Sequence, residues 1–116
     1  MTEGATTEGS AFIFAYTTTP TYEKAREIAQ DVVERGLAAC ANIIPTMTSV
    51  YCWQGKVEEA QEVVLILKTA RARFEELSAR IKALHPYECP CIIGLPLAAG
   101  SLEYLNWMRV ETEVAL

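Results

Sequence analysis

Residues 61–70 read QEVVLILKTA, and the way their apolar side chains divide decides the fold. A run this short, rich in β-branched residues and closed by a polar threonine, is a strand. Along a strand successive side chains point to opposite faces, so Val63, Leu65 and Leu67 lie on one side and Val64 and Ile66 on the other. Both sides are apolar, which predicts a sheet buried on two faces. AFIFAYT (11–17) repeats the pattern, with Phe12, Phe14 and Tyr16 against Ile13, and Ile92 against Ile93 does so in CIIGLPLA (91–98).

Working outward, TTPTYEKAREIAQDVVERG (18–36) carries Ala25, Ile28, Ala29, Val32 and Val33 at helical spacing. Thr19 before Pro20 predicts the N-cap and Gly36 the stop. LAACANIIPTMTSVYCWQGKV (37–57) reads as a strand with a bulge or kink at Pro45, and QGK (54–56) as the turn into the returning strand. RARFEELSARIKALH (71–85) places Phe74, Leu77, Ile81 and Leu84 on one helical face, and SLEYLNWMRV (101–110) is a closing helix capped by Ser101, with Tyr104 and Trp107 as packing residues. The order β-α-β-β-α-β-α is the split βαβ, ferredoxin-like α+β arrangement. Residues 1–10 are expected to form a loose polar tail and 11–116 a single domain. Two main helices cover one sheet face, so the second is expected to be covered by a partner subunit rather than by the closing helix and tail alone.

Composition removes several function classes. The chain has 116 residues, half of them apolar, and a net charge of −5. Its lysines and arginines are scattered, and only Arg71, Arg73, Arg80 and Lys82 approach a basic face, which Glu75 and Glu76 interrupt; nucleic acid is set aside. MTEGATTEGS (1–10) has neither the basic start nor the apolar run of a signal peptide, and no apolar run approaches the ~20 residues that span a bilayer. Four cysteines without a C-x-x-C are expected to be reduced and buried, which sets cytoplasm as the default. Asp31 is the only aspartate and His85 the only histidine, so a Ser-His-Asp triad has almost no material; EF-hand, H-E-x-x-H and glycine-rich phosphate motifs are missing. The expectation is a protein that is not an enzyme.

RGLAACANIIP (35–45), TSVYCWQGK (48–56), EVVLILKT (62–69), HPYECP (85–90) and YLNWM (104–108) together resemble the CutA divalent-cation-tolerance family, over about residues 11–109. The resemblance implies a ferredoxin-like protomer in a tight homotrimer, similar in fold to trimeric PII signalling proteins. It further implies a part in tolerance of copper and other divalent ions and no established reaction. In some members copper ligands are assigned to a cysteine ending the first strand and to a His-His pair before Pro-Tyr; here those positions hold Thr17, Leu84 and His85, so one ligand of three is kept.

Candidate site residues cluster around HPYECPC (85–91). His85 reads as a helix cap or a metal ligand. Cys89 and Cys91, at i and i+2 at the start of the fourth strand, share a face and are either core substitutions or a soft pair for copper(I). Lys68 ends an apolar strand and needs an anionic partner: a glutamate, or a small anionic ligand in a cleft at the subunit boundary lined by Lys68, Tyr87 and Glu88 with Trp53 as its wall. The expected role is an ion- or small-molecule-responsive regulator. The alternative is a stable trimeric scaffold for another protein.

Overall fold

The computed structural model describes residues 11–113, so the expected tail at 1–10 lies outside the described residues. In chain order the elements are β1 (Phe12–Thr19), α1 (Tyr22–Glu34), β2 (Cys40–Trp53), β3 (Lys56–Ala70), a 3-10 turn (Arg71–Arg73), α2 (Phe74–Leu84), β4 (Ile92–Pro96) and α3 (Leu102–Glu111). The strands form one antiparallel sheet in the order β2-β3-β1-β4, the ferredoxin-like topology.

Local chemistry sets the helix ends. The first helix starts two residues later than the Thr19 cap predicts. Thr19 belongs to β1, where it pairs with Val63, and the Thr21 hydroxyl accepts from the Lys24 N–H at 3.0 Å. At the other end Gly36 takes φ 71°. There Gly36 N–H donates to Val33 O and Leu37 N–H to Val32 O at 2.9 Å, a Schellman stop that a Cβ would strain. Ala25, Ile28, Ala29 and Val32 are buried, whereas Val33 stands in solvent. The first helix is fastened to α2 by Arg80, whose guanidinium donates twice to Asp31 at 2.8 Å. That fork, helped by Arg35, holds the Asp31 carboxyl below its usual range against the opposing effect of burial.

The main core lies under these helices: Ala15, Leu65 and Leu67 from the sheet meet Ile28, Val32, Leu77 and Ile81. The opposite sheet face is covered at one end only. Here α3, capped by Ser101, seats Leu105 and Met108 on Phe12 and Ala39. Arg73 secures the end of α3 by donating from Nε to Thr112 O at 2.6 Å. Tyr104 and Trp107 stay partly exposed but pack on each other, with ring centroids 5.4 Å apart, and Tyr104 also meets Lys68 of β3. Beyond α3 the second face keeps Ile44, Ile93 and Leu95 about half exposed, beside Phe14, Tyr16 and Ile66.

The β2–β3 hairpin outruns the rest of the sheet. β1 reaches β3 only from Val63 to Ala70, so residues 56–62 of β3 pair with β2 alone. Gln54 and Gly55, both at positive φ, make the two-residue turn whose twist suits a hairpin. This ribbon explains a radius of gyration of 15.3 Å, above the ~13 Å of a compact chain of this length.

Candidate functional site

Pro45 determines which side chains reach the site. It cannot donate to the ladder, and between Ile44 and Met47 the register slips by one residue. Ile44 opposes Val64, but Met47 opposes Glu62, so the odd-numbered residues from Met47 to Trp53 take over the face that Asn42 and Ile44 occupy. Met47, Ser49, Tyr51 and Trp53 thereby join Glu62 and Glu58 of β3 and Tyr16 and Thr18 of β1 on the face without the two main helices.

Glu62 is the hub. Its carboxylate accepts from Ser49 Oγ at 2.6 Å, Tyr87 Oη at 2.8 Å and Thr18 Oγ1 at 3.3 Å. All three donors are neutral hydroxyls, which orient the charge and leave it uncancelled. The phenol of Tyr87 is pushed well above its ordinary range, first by burial and then by the carboxylate it donates to. The thiol of Cys91 is also pushed up, by partial burial of the sulfur in a residue that is otherwise exposed and then by the Glu62 charge.

His85 braces this arrangement. It caps α2, its ring is buried, Nε2 lies 2.7 Å from Thr18 O, and Nδ1 accepts the Tyr87 N–H at 3.1 Å. Since Nδ1 accepts, the ring is the neutral tautomer assigned with its proton on Nε2, donating to Thr18 O. Its ring centroid stands 4.7 Å from that of Tyr87. Both nitrogens are committed, so of its two readings the cap and not the metal ligand describes His85.

An open cleft of about 810 Å³ lies over Glu62. Of the residues singled out from sequence, Trp53, Tyr87, Glu88, Cys89 and Cys91 line it. Lys68 does not. Its ammonium sits 3.4 Å from Tyr104 Oη and over the rings of Phe14 and Tyr104 at 5.8 and 5.5 Å, so within the protomer aromatic faces take the place of the expected anion. The cysteines differ from expectation as well. Cys89 and Cys91 precede β4, which begins at Ile92, and with Cys52 they are exposed rather than buried. Sequence reasoning passed over Glu62, Tyr16 and Tyr51. The available signal was the parity of QEVVLILKTA, which puts Glu62 on the face of Val64 and Ile66.

The copper ligand set that the resemblance implies is not assembled within this protomer. Thr17 is buried on the helix-side face with its hydroxyl unpartnered, Leu84 packs against the core, and His85 is spent in hydrogen bonds. Among the described residues no three His, Cys, Asp or Glu side chains gather as a metal site, so His85, Cys89 and Cys91 do not form one.

The fold is shared with a known group of proteins. The sequence profile of the CutA1 divalent ion tolerance protein matches residues 13–111. The divalent-cation tolerance protein CutA of Thermus thermophilus is 53% identical over 95 residues, 82% of this chain and 92% of its own length. Human protein CutA is 44% identical over 99 residues, and there the chain spans 85% of itself but 55% of the relative. Among solved structures, Cut A1 of Thermus thermophilus superposes with a TM-score of 0.86 at 49% identity, covering 88% of this chain and 99% of that one. CutA1 of Oryza sativa gives 0.88 at 37% identity, with 93% and 99% covered. The chain belongs to the CutA1 divalent ion tolerance family.

Proposed function

We propose that this chain is the protomer of a homotrimer that contributes to divalent-cation tolerance as a non-enzymatic, cytoplasmic binding protein, its ligand held in the cleft over Glu62. The observation that carries the reading is the placement of that cleft on the uncovered sheet face, at the root of a ribbon with no third strand. A two-stranded ribbon is marginally stable alone, and Val50 and Val57 on it are 65% and 78% exposed. Ile44, Ile93 and Leu95 on the free sheet face, and Val50 and Val57 on the opposite side of the ribbon, are apolar surfaces of the kind that neighbouring copies bury. The relatives' names support cation tolerance; the donor set argues that the role is response to a ligand and not storage of copper.

Sedimentation tests the assembly: the protein should run near three times 12.8 kDa at micromolar concentration. Ile66→Glu should dissociate it or prevent folding, because burying an unpaired charge costs several kcal/mol. A monodisperse wild-type monomer refutes the trimer. A captured protein partner, with no saturable small ligand, moves the reading to a scaffold.

A further inference from the structure

The lining of the cleft specifies a ligand class, given the reading that the cleft is a ligand site. It holds Glu58, Glu62 and Glu88 and no lysine or arginine. The hydroxyls around Glu62 leave its charge intact, and its potential is felt at Tyr87 and Cys91. Within the lining of this protomer an anion would meet this field with no counter-charge; the nearest cation along the ladder is Lys56, opposite Trp53. A bare divalent ion would need several oxygens converging at about 2.0–2.6 Å, and the three carboxylates do not gather into such a group. Acids spread along a cleft of about 810 Å³ suit a ligand whose positive charges are spread too. Tyr51 and Trp53 supply apolar wall and π-faces, which attract ammonium groups.

We propose that the cleft binds an extended aliphatic amine with two or more ammonium groups, its methylenes against Tyr51 and Trp53 and its charges at Glu58, Glu62 and Glu88. Such a ligand satisfies the carboxylates in series and needs no rearrangement of the hydroxyls that orient Glu62. Lys68, held between Phe14 and Tyr104, stays outside the cleft of its own protomer.

Calorimetric titration of the purified chain with spermidine, at physiological ionic strength, tests this. Saturable binding at one site per protomer is expected, weakened about tenfold or more in both Glu62→Gln and Trp53→Leu. Glu75→Gln, on the exposed side of α2, should leave it unchanged. Should Glu62→Gln disturb folding, Glu58→Gln, at an exposed position, serves in its place. Spermidine binding indifferent to the cleft variants is attraction to an acidic protein, and it overturns the proposal. Saturable citrate or magnesium binding that these variants abolish, without spermidine binding, also overturns it and leaves the cleft a ligand site. No saturable heat from spermidine, magnesium or citrate counts against both readings.

Discussion

Tyr87→Phe isolates one hydrogen bond at the hub of the site. The ring keeps its contact with His85 at 4.7 Å, and only the hydroxyl that donates to Glu62 at 2.8 Å is lost. A hydrogen bond to a charged group is worth about 1.5–3 kcal/mol net. Glu62 retains Ser49 at 2.6 Å and the longer Thr18 contact at 3.3 Å, and water can enter from the open side of the cleft. The loss therefore belongs near the low end, about 1–2 kcal/mol around pH 7. Its pH dependence has a definite sign. The folded-state phenol is raised above the unfolded value near 10, so the native state holds its proton more tightly. Its contribution is complete below about pH 10 and is lost as pH rises beyond that toward the folded value. The gap between wild type and Tyr87→Phe should thus be full at neutral pH and shrink above about pH 10. Guanidinium denaturation followed by circular dichroism, at one fixed protomer concentration, measures both. Equal stability at neutral pH, or a gap that does not change with pH, refutes the reasoning.

Asp31→Asn should remove a part of stability that wild type keeps above about pH 4 and loses only as pH falls through the depressed folded pKa; acid titration of both proteins should show the variant with the shallower fall. Cys89→Ser with Cys91→Ser should keep the fold and change stability by under about 0.5 kcal/mol, since both side chains are exposed, while any copper(I) taken up under reducing conditions is lost. Full copper uptake in that double variant, read by dialysis and metal analysis, contradicts the assignment of the soft donors. Deleting Thr46, the extra residue of the bulge, should make the ladder continuous while Met47 stays opposite Glu62, so Tyr51 and Trp53 keep the cleft face and helical circular dichroism stays largely intact. Acrylamide quenching of Trp53 in a Trp107→Phe background should then match that of the undeleted background, and clearly altered quenching contradicts it.

Elements whose contacts are local were legible in the sequence. The first helix follows from apolar spacing and a glycine stop, and the hairpin from Gln54 and Gly55. The misplaced cap shows the limit: Thr19 and Thr21 flank the same proline, and the choice falls to Thr21 because β1 extends to pair Thr19 with Val63. The site was half legible. HPYECPC announced itself by composition and does supply Tyr87, Glu88, Cys89 and Cys91 to the cleft. Glu62 did not, because its partners Ser49, Tyr87 and Thr18 lie 13, 25 and 44 residues away. Lys68 was matched to a missing anion because a charge ending a buried strand needs a partner; Phe14 and Tyr104 meet that need with ring faces.

The deepest dependence of site on fold is a matter of counting residues. Had β2 run without a slip, Val50 and Cys52 would face the cleft, and Tyr51 and Trp53 would lie on the opposite side. Proline favours the slip because a ladder residue without an N–H is tolerated at a bulge. The glutamate at 62 needs no such adjustment, since β3 runs regularly from Ala70 to Val63 against β1. One strand thus delivers the carboxylates in fixed alternation, and its partner is offset to bring the aromatic rings to meet them. Glu62 is then held by three strands and a loop at once: by Ser49 of β2, by Thr18 of β1, by its own place in β3 and by Tyr87, which His85 anchors to the Thr18 carbonyl. Any ligand that draws on Glu62 therefore also pulls on the hairpin root, the β1 end and the α2 cap.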